Sequence, residues 1–185
     1  DSFQKTQVAV DLDEWGRWMI DSDLRLLEGI EAEIDLLAKR MDADAFADER
    51  VKLLMTLPGV DVAVAESLVA ALGDVKRFPS ADQAAAYLGL VPRVKQSAAS
   101  CYHGSITKAG RSQTRWMLVQ AAQHVGAHPG PLGAFFRRLA RRKNRNVAVV
   151  ATARKLVTIA WHMLHHREPY RYAVARGTED KLRRL

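Results

Sequence analysis

The sequence predicts an all-α fold, in which a coiled-coil helix leads into a compact helical domain containing a helix-hairpin-helix. Three observations predict it. Apolar residues between 22 and 48 recur at alternating spacings of three and four, as on a coiled-coil seam. Leu-Pro-Gly-Val at 57–60 separates two short helical patterns, and helical periodicity returns after residue 110. With 185 residues, 48% of them hydrophobic, the chain is long enough to bury a core.

The first predicted helix spans residues 22–48 and follows a segment, residues 1–21, whose mixed composition predicts no definite structure. Asp21 and Asp23 favour a helix N-terminus at this point because a carboxylate complements the helix dipole. A helix packed on its own domain would show the same periodicity, but we expect the seam to face a second copy of the chain in a dimer. The seam residues are Leu27, Ile30, Ile34, Leu37 and Met41.

The turn at 57–60 is the most informative local pattern of the chain. Pro58 blocks continuation of the helix predicted over 49–56, and Gly59 permits the tight backbone that a hairpin needs. The helix predicted over 62–72 would then present free N–H groups, which form a site for an anion such as a DNA phosphate. The alternative is an ordinary turn between two packed helices.

The rest of the domain, to residue 168, is predicted from caps and breakers. Ser80 and Gln83 form a capping box that opens a helix reaching about Leu88. Residues 92–110 lack periodicity and predict a long loop, which is often functional. Helices are predicted over 111–128, 132–142 and 147–166, followed by a loosely held basic tail, residues 169–185.

Charge is strongly segregated along the chain. Residues 1–66 carry 7 Lys and Arg against 16 Asp and Glu, whereas residues 67–185 carry 21 against 5. The resulting net charges of −9 and +16 indicate that the second part binds a polyanion. The single Cys excludes an internal disulfide, and because no apolar run approaches 18 residues, no membrane partner is expected.

An ordered series of short motifs resembles a known family. The series runs through Leu-Pro-Gly-Val at 57–60, Leu-Gly-Asp at 72–74, Arg-Phe at 77–78, Ala-Ala-Tyr-Leu-Gly-Leu-Val-Pro at 85–92, Gln-Ser at 96–97, Gly-Ser-Ile-Thr-Lys-Ala-Gly at 104–110 and Arg115. It resembles the C-terminal transposase domain of the insertion-sequence family that includes the Piv-type pilin-gene invertases, and the resemblance covers about residues 22–167.

The resemblance implies site-specific DNA recombination, guided in insertion sequences of this family by a structured RNA. It also implies a separate N-terminal RuvC-like domain whose DEDD acidic set holds a divalent metal such as Mg²⁺. Because this sequence shows no counterpart of that domain, we expect it to be the C-terminal part of a larger enzyme. The chain itself would then hold no metal, and the enzyme would act in the bacterial cytoplasm, at the nucleoid.

The resemblance further implies a serine nucleophile in a Gln-Ser-Gly segment, which here reads Gln-Ser-Ala at 96–98. Ser97 is the matching residue, and it would attack a DNA phosphodiester. Ala98 in place of Gly changes the local backbone without removing the nucleophile. Without the resemblance, Ser97 would be taken for a loop hydroxyl in a local turn, and Ser100 and Ser105 are nearby alternatives.

Two basic groups are predicted to contact phosphates together with the hairpin. A solvated helix face is the alternative for the second group. A non-catalytic module that binds DNA, or binds the guide RNA, would use the same residues. The predicted DNA-binding residues are Gly59 and Val60 of the hairpin, then Arg93, Lys95, Lys108, Arg111 and Arg115 around Ser97, then Arg137, Arg138, Arg141, Arg142 and Lys143.

Overall fold

The computed structural model describes residues 13–97 and 100–183, without the side chains of residues 94–103. The chain divides into two compact units, residues 1–40 and 41–185. The predicted all-α class is confirmed, because the second unit is built from helices and a single two-stranded sheet within the described residues.

The helix α1 (Glu14–Ala47) begins eight residues before the predicted start. Asp13 explains the difference, since its carboxylate accepts a hydrogen bond from the Gly16 N–H at 2.8 Å and caps the helix. Trp15 and Trp18 stack at 5.1 Å on its first turns. The predicted seam residues are exposed along the helix, with Ile30 and Ile34 55% and 57% accessible.

Seven further helices form the second unit, with a short 3₁₀ turn, Val75–Arg77, after the second of them. Side-chain caps explain where several begin: Asp48, Asp61, Ser80 and Asn144 each accept a hydrogen bond from a main-chain N–H two or three residues ahead. The helices are α2 (Glu49–Met55), α3 (Val62–Leu72), α4 (Ala81–Tyr87), α5 (Ser112–Val125), α6 (Pro131–Arg142), α7 (Arg145–His166) and α8 (Ala175–Leu182).

The helix α7 is the core element of this unit. Among the described helices it alone is long and apolar enough to cross a membrane, but its buried residues, from Ala148 to Met163, pack against the other helices of the unit. It contacts α2, α4, α5 and α6. An apolar helix surrounded in this way has the composition expected of a buried core helix.

Two predictions about irregular segments are wrong. The loop predicted over 92–110 contains an antiparallel hairpin of β1 (Pro92–Ser97) and β2 (Ser100–Ile106), because pairing these strands with each other satisfies their main-chain groups. The tail predicted to be loose contains α8, and Lys181 on that helix donates hydrogen bonds to the turn between α2 and α3.

Candidate nucleic-acid interface

The β-hairpin is anchored at its base to the end of α4. The Thr107 N–H donates to the Val91 carbonyl at 2.9 Å, and the Lys108 N–H donates to the Gly89 carbonyl at 3.2 Å. Gly89 and Gly110 both have positive φ, +69° and +70°. A Cβ on Gly110 would overlap the Tyr87 carbonyl oxygen, so only glycine permits this main-chain approach.

Arg115 strengthens the same junction. Its Nη1 donates to the Ala109 carbonyl at 2.8 Å and to the Leu88 carbonyl at 3.1 Å, which joins the start of α5 to the end of α4. The sequence predicts Arg115 as a phosphate ligand. The structure gives it a second role, because this half-buried guanidinium holds the base of the hairpin.

Ser97 occupies the opposite end of the hairpin from this anchored base. It pairs with Ser100 as the last register pair, whereas Pro92 pairs with Ile106 at the base. The side chains of Ser97 and Lys95 lie outside the described part of the structure, as does Ala98 altogether.

His103 lies in the hairpin, and histidine is the residue type that most often acts as a general base. It pairs with Val94, which is three register positions from Ser97. At ~3.3 Å per residue, the two backbones are about 10 Å apart along the strands. The hairpin therefore does not bring His103 beside Ser97.

A cluster that sequence reasoning missed lies at the start of α5. The Arg111 Nε donates to the Tyr87 hydroxyl at 3.5 Å, and the Arg77 guanidinium lies 4.7 Å from the centroid of the Tyr87 ring. The hydrogen bond from Arg111 and the nearby charge of Arg77 lower the pKa of Tyr87 below its usual range. Arg77 also donates from Nη2 to the Ala71 carbonyl at 3.0 Å. Within the described residues neither arginine has an ion pair to a carboxylate, so the remaining guanidinium donors can bind an anion.

Two more predicted cations lie near the hairpin base. Arg93 is exposed and donates to the Thr107 carbonyl at 3.3 Å, and Lys108 is exposed with a left-handed backbone, φ 56°. The signal for the missed pair was present in the sequence, since Arg77 and Tyr87 both belong to the motif series that carries the family resemblance.

The helix α6 separates apolar and basic faces sharply. Leu132, Gly133 and Phe136 are buried, while four arginines, 137, 138, 141 and 142, are solvent-facing. Arg137 has a structural role, because its Nη1 donates to the carbonyls of Gly126 and His128 at 2.7 and 3.1 Å, beyond the end of α5.

The other cations of α6 differ in whether their side chains contact another group of the protein. Arg138 lies 5.8 Å from the Phe135 ring centroid. Arg141, Arg142 and Lys143 are exposed, and none of them has an ion-pair partner within the described residues. These three are therefore the predicted cations of this helix most available to a polyanion.

The turn between α2 and α3 joins two short helices, and its helix start is not vacant. Gly59 has φ +77° and lies against α5, where a Cβ would come within 2.5 Å of the Ala121 carbonyl oxygen. Leu57 and Val60 are fully buried, so Val60 could contact DNA only through its main chain. Asp61 accepts a hydrogen bond from the Val64 N–H at 2.9 Å, which puts a carboxylate where a phosphate is predicted.

The DNA-binding role of this turn therefore stays a prediction. Of the N–H groups at the start of α3, those of Val62 and Ala63 have no hydrogen-bond partner in the part of the chain that the structure describes. A phosphate there would meet these two donors and also the negative charge of Asp61.

The part of the sequence that carries most of these groups has a large excess of positive charge. Between Asp82 and Glu168 the sequence has 14 Lys and Arg and no Asp or Glu. This acid-free stretch contains the hairpin and all of α5, α6 and α7. Over the described residues, no three His, Cys, Asp or Glu side chains are grouped as a metal site would require. The excess of Lys and Arg makes this stretch suited to anions such as phosphates.

Comparison with known proteins identifies the domain. Residues 51–137 match the family model described as the IS116/IS110/IS902 transposase family. The chain is 30% identical over 149 residues to a probable family 20 transposase of Pseudomonas aeruginosa, a match covering 78% of this chain and 44% of that protein.

Two other relatives have similar coverage. The transposase for insertion sequence element IS1111A of Coxiella burnetii is 31% identical, over 72% of this chain and 38% of its own length. The pilin gene-inverting protein of Moraxella bovis is 32% identical, over 66% and 39%. The chain thus spans less than half the length of these relatives.

The glycine contact at the hairpin base yields a stability prediction. Gly110→Ala should destabilise the second unit by about 1–3 kcal/mol, because alanine disfavours positive φ and its Cβ would overlap the Tyr87 carbonyl. Gly177→Ala is the matched control, since a Cβ there meets no atom within 4 Å and alanine favours the helix. Urea denaturation measures both, and equal midpoints for the two variants would contradict the prediction.

Proposed function

Because the chain belongs to the IS116/IS110/IS902 transposase family, we propose that it binds DNA and supplies the nucleophile for a recombination reaction. The observation that carries the proposal is the anchored hairpin with Ser97 at its free end, in an 85-residue acid-free stretch, residues 83–167. The names of the relatives support it, since they are transposases and pilin gene-inverting proteins.

Duplex DNA is the proposed partner, held mainly through its phosphates. Exposed cations at the hairpin base and on α6 would neutralise phosphates and release condensed counterions. Arg77, Arg111 and the Tyr87 hydroxyl form a cluster with several hydrogen-bond donors, which suits one phosphate close to the base of the hairpin. Such contacts position DNA without reading its sequence.

The proposed chemistry is attack by the Ser97 Oγ on a DNA phosphorus. An O–P bond forms to serine as the bond from phosphorus to a deoxyribose oxygen breaks, and the serine proton leaves with that oxygen as a hydroxyl. The phosphodiester energy is kept in the protein–DNA ester, so rejoining to another strand needs no external energy source. Arginine and lysine side chains around the hairpin would stabilise the charge that develops on the phosphoryl oxygens.

We propose that any divalent metal of the full reaction, such as Mg²⁺, is held outside this chain, and no step above passes through one. An enzyme that recombines chromosomal DNA would act in the bacterial cytoplasm, at the nucleoid. A structured guide RNA would use the same basic surface as DNA, because both present phosphates in a regular array.

The helix α1 is the proposed dimer element. Its seam residues remain more than one-third exposed, and large contiguous apolar surface on a helix indicates a protein partner. The spacing of three and four fits a second copy of the same helix in a coiled coil. We therefore propose that residues 22–48 join two copies of the chain.

Salt-sensitive binding tests the DNA proposal. Log affinity for duplex DNA should fall linearly with log salt, with a slope of about 0.9 per phosphate contacted. Arg141→Ala combined with Arg142→Ala should reduce that slope by about two, because both cations are unpaired within the described residues. Fluorescence anisotropy titrations at several salt concentrations measure it.

Lys39→Ala, in the acidic part of the chain, is the control for that experiment and should leave the slope unchanged. The absence of binding at low salt would refute the DNA proposal. Competition by a structured RNA at far lower concentration than duplex DNA would instead identify RNA as the preferred partner.

Trapping the covalent intermediate tests Ser97. In the full recombinase, Ser97→Ala should abolish strand exchange while DNA affinity and melting temperature stay at wild-type values, because one oxygen is lost from the end of the hairpin. Ser100→Ala and Ser105→Ala, on the partner strand, should retain activity. The assignment fails if Ser97→Ala recombines normally, or if mass spectrometry maps the DNA adduct to another residue.

Light scattering tests the dimer. Replacing Ile30 and Ile34 by Asp puts two carboxylates on the apolar seam and should convert a dimer to a monomer. Glu31 and Glu33 are not seam residues, so replacing both by Gln is the control and should preserve the dimer. A wild-type chain that is already monomeric at tens of micromolar would refute the dimer proposal.

A further inference from the structure

Lys181 of α8 makes an unusual contact with the turn between α2 and α3. Its Nζ donates to three main-chain carbonyls: Met55 at 2.9 Å, Leu57 at 2.7 Å and Val60 at 2.8 Å. An ammonium group has three donors and no acceptor, so all of its hydrogen-bonding capacity is used. The helix α8 has no buried residue of its own, and this contact attaches it to the turn.

The three carbonyls form a cation site. Met55 ends α2, so its carbonyl belongs to the negative end of that helix dipole. The Leu57 and Val60 carbonyls come from the turn itself, and the oxygens converge on one point at distances of 2.7–2.9 Å. Rings of main-chain carbonyls at such distances replace the hydration shell of a large monovalent cation, as in potassium channels.

The charge of Lys181 also affects Asp61, which lies on the other side of the turn. Asp61 places a carboxylate at the start of α3, next to the unpartnered N–H groups of Val62 and Ala63. Burial lowers the pKa of Lys181, and the charge of Asp61 opposes that effect, so the two groups interact. Without Lys181 the turn would carry a net negative charge and would repel a phosphate.

We propose that Lys181 is the resident cation of this turn, a positioning residue that fills a three-carbonyl site and offsets Asp61 so that the turn can accept a DNA phosphate. The last step rests on the proposed DNA-binding function. The site itself does not, because it predicts that a bare K⁺ can replace the ammonium when the side chain is shortened.

The segment before α8 also contacts the turn between α2 and α3. The Tyr170 N–H donates to the Thr56 Oγ1 at 2.9 Å, so the chain after α7 holds the same turn at a second point. The Thr56 hydroxyl in turn donates to the Leu53 carbonyl at 2.7 Å. The main chain of the turn is therefore already fixed from one side. The three carbonyls of Met55, Leu57 and Val60, called the cradle below, should keep their positions when the Lys181 side chain is removed.

Cation replacement tests the proposal in the whole chain. Melting temperature and DNA affinity are measured in KCl and in tetramethylammonium chloride at equal ionic strength, since tetramethylammonium is too large for the cradle. Lys181→Ala should melt lower and bind DNA about tenfold more weakly in tetramethylammonium, the scale expected for lost charged hydrogen bonds. It should recover in KCl, after correction for the small difference that the wild type shows between the two salts.

Two further variants make the outcome decisive. Arg176→Ala removes the same charge from the exposed side of α8 and should behave as the wild type in both salts. Lys181→Gln keeps a long side chain with donors but no charge, so it should fold and still lose about tenfold in DNA affinity. If Lys181→Ala is unfolded in both salts, Lys181→Gln decides the question, and wild-type DNA affinity in that variant overturns the proposal.

The melting measurement separates this inference from the DNA proposal. A wild type that binds no DNA refutes the proposed function, and the potassium dependence of melting in Lys181→Ala then still decides whether the cradle is a cation site. Lys181→Ala that melts as the wild type does in both salts, or that is rescued equally by tetramethylammonium, overturns the cradle.

Discussion

The candidate site depends on one main-chain contact, between the end of α4 and the segment that leads into α5. Glycine at 89 and 110 lets the two backbones touch, and hydrogen bonds from the N–H groups of residues 107 and 108 fix their register. Arg115 then ties both segments to the first turn of α5. A two-stranded hairpin alone is marginally stable in water, so its orientation has to come from such a base.

Folding divides the basic residues of this unit into two groups. Arg115 and Arg137 donate hydrogen bonds to the carbonyls of Leu88 and Gly126, which follow the C-terminal ends of α4 and α5, where a cation also complements the helix dipole. Arg111, Arg141 and Arg142 have no carboxylate partner within the described residues, although one cation of the same stretch, Arg154, pairs with Asp82 at 2.9 Å. Crowded cations without counter-charges destabilise a compact state, and a bound polyanion relieves that repulsion.

Local signals predicted well those elements whose causes are local. The cap at Ser80, the turn at Pro58 and the helix over 132–142 each follow from residues within a few positions, and the structure contains all three. The hairpin was missed because residues 92–106 do not alternate apolar and polar residues, and its strands are specified by their pairing with each other. The partners of Arg115 and Lys181 are also long-range, with Leu57 lying 124 residues from Lys181, so no local pattern could reveal them.

The two ends of the described chain carry opposite kinds of surface, and their chemistry assigns them different partners. Residues 1–66, at net −9, would be repelled by nucleic acid, yet they include an exposed apolar seam that suits another protein helix. Residues 67–185, at net +16, present few large exposed apolar side chains within the described residues and many unpaired cations. The phosphate contacts proposed for the basic part would not read DNA sequence, so target choice would have to come from other contacts. The proposed pairing of two copies through the acidic helix would fit that division, because the proposed strand exchange would need two DNA sites, one for each basic domain.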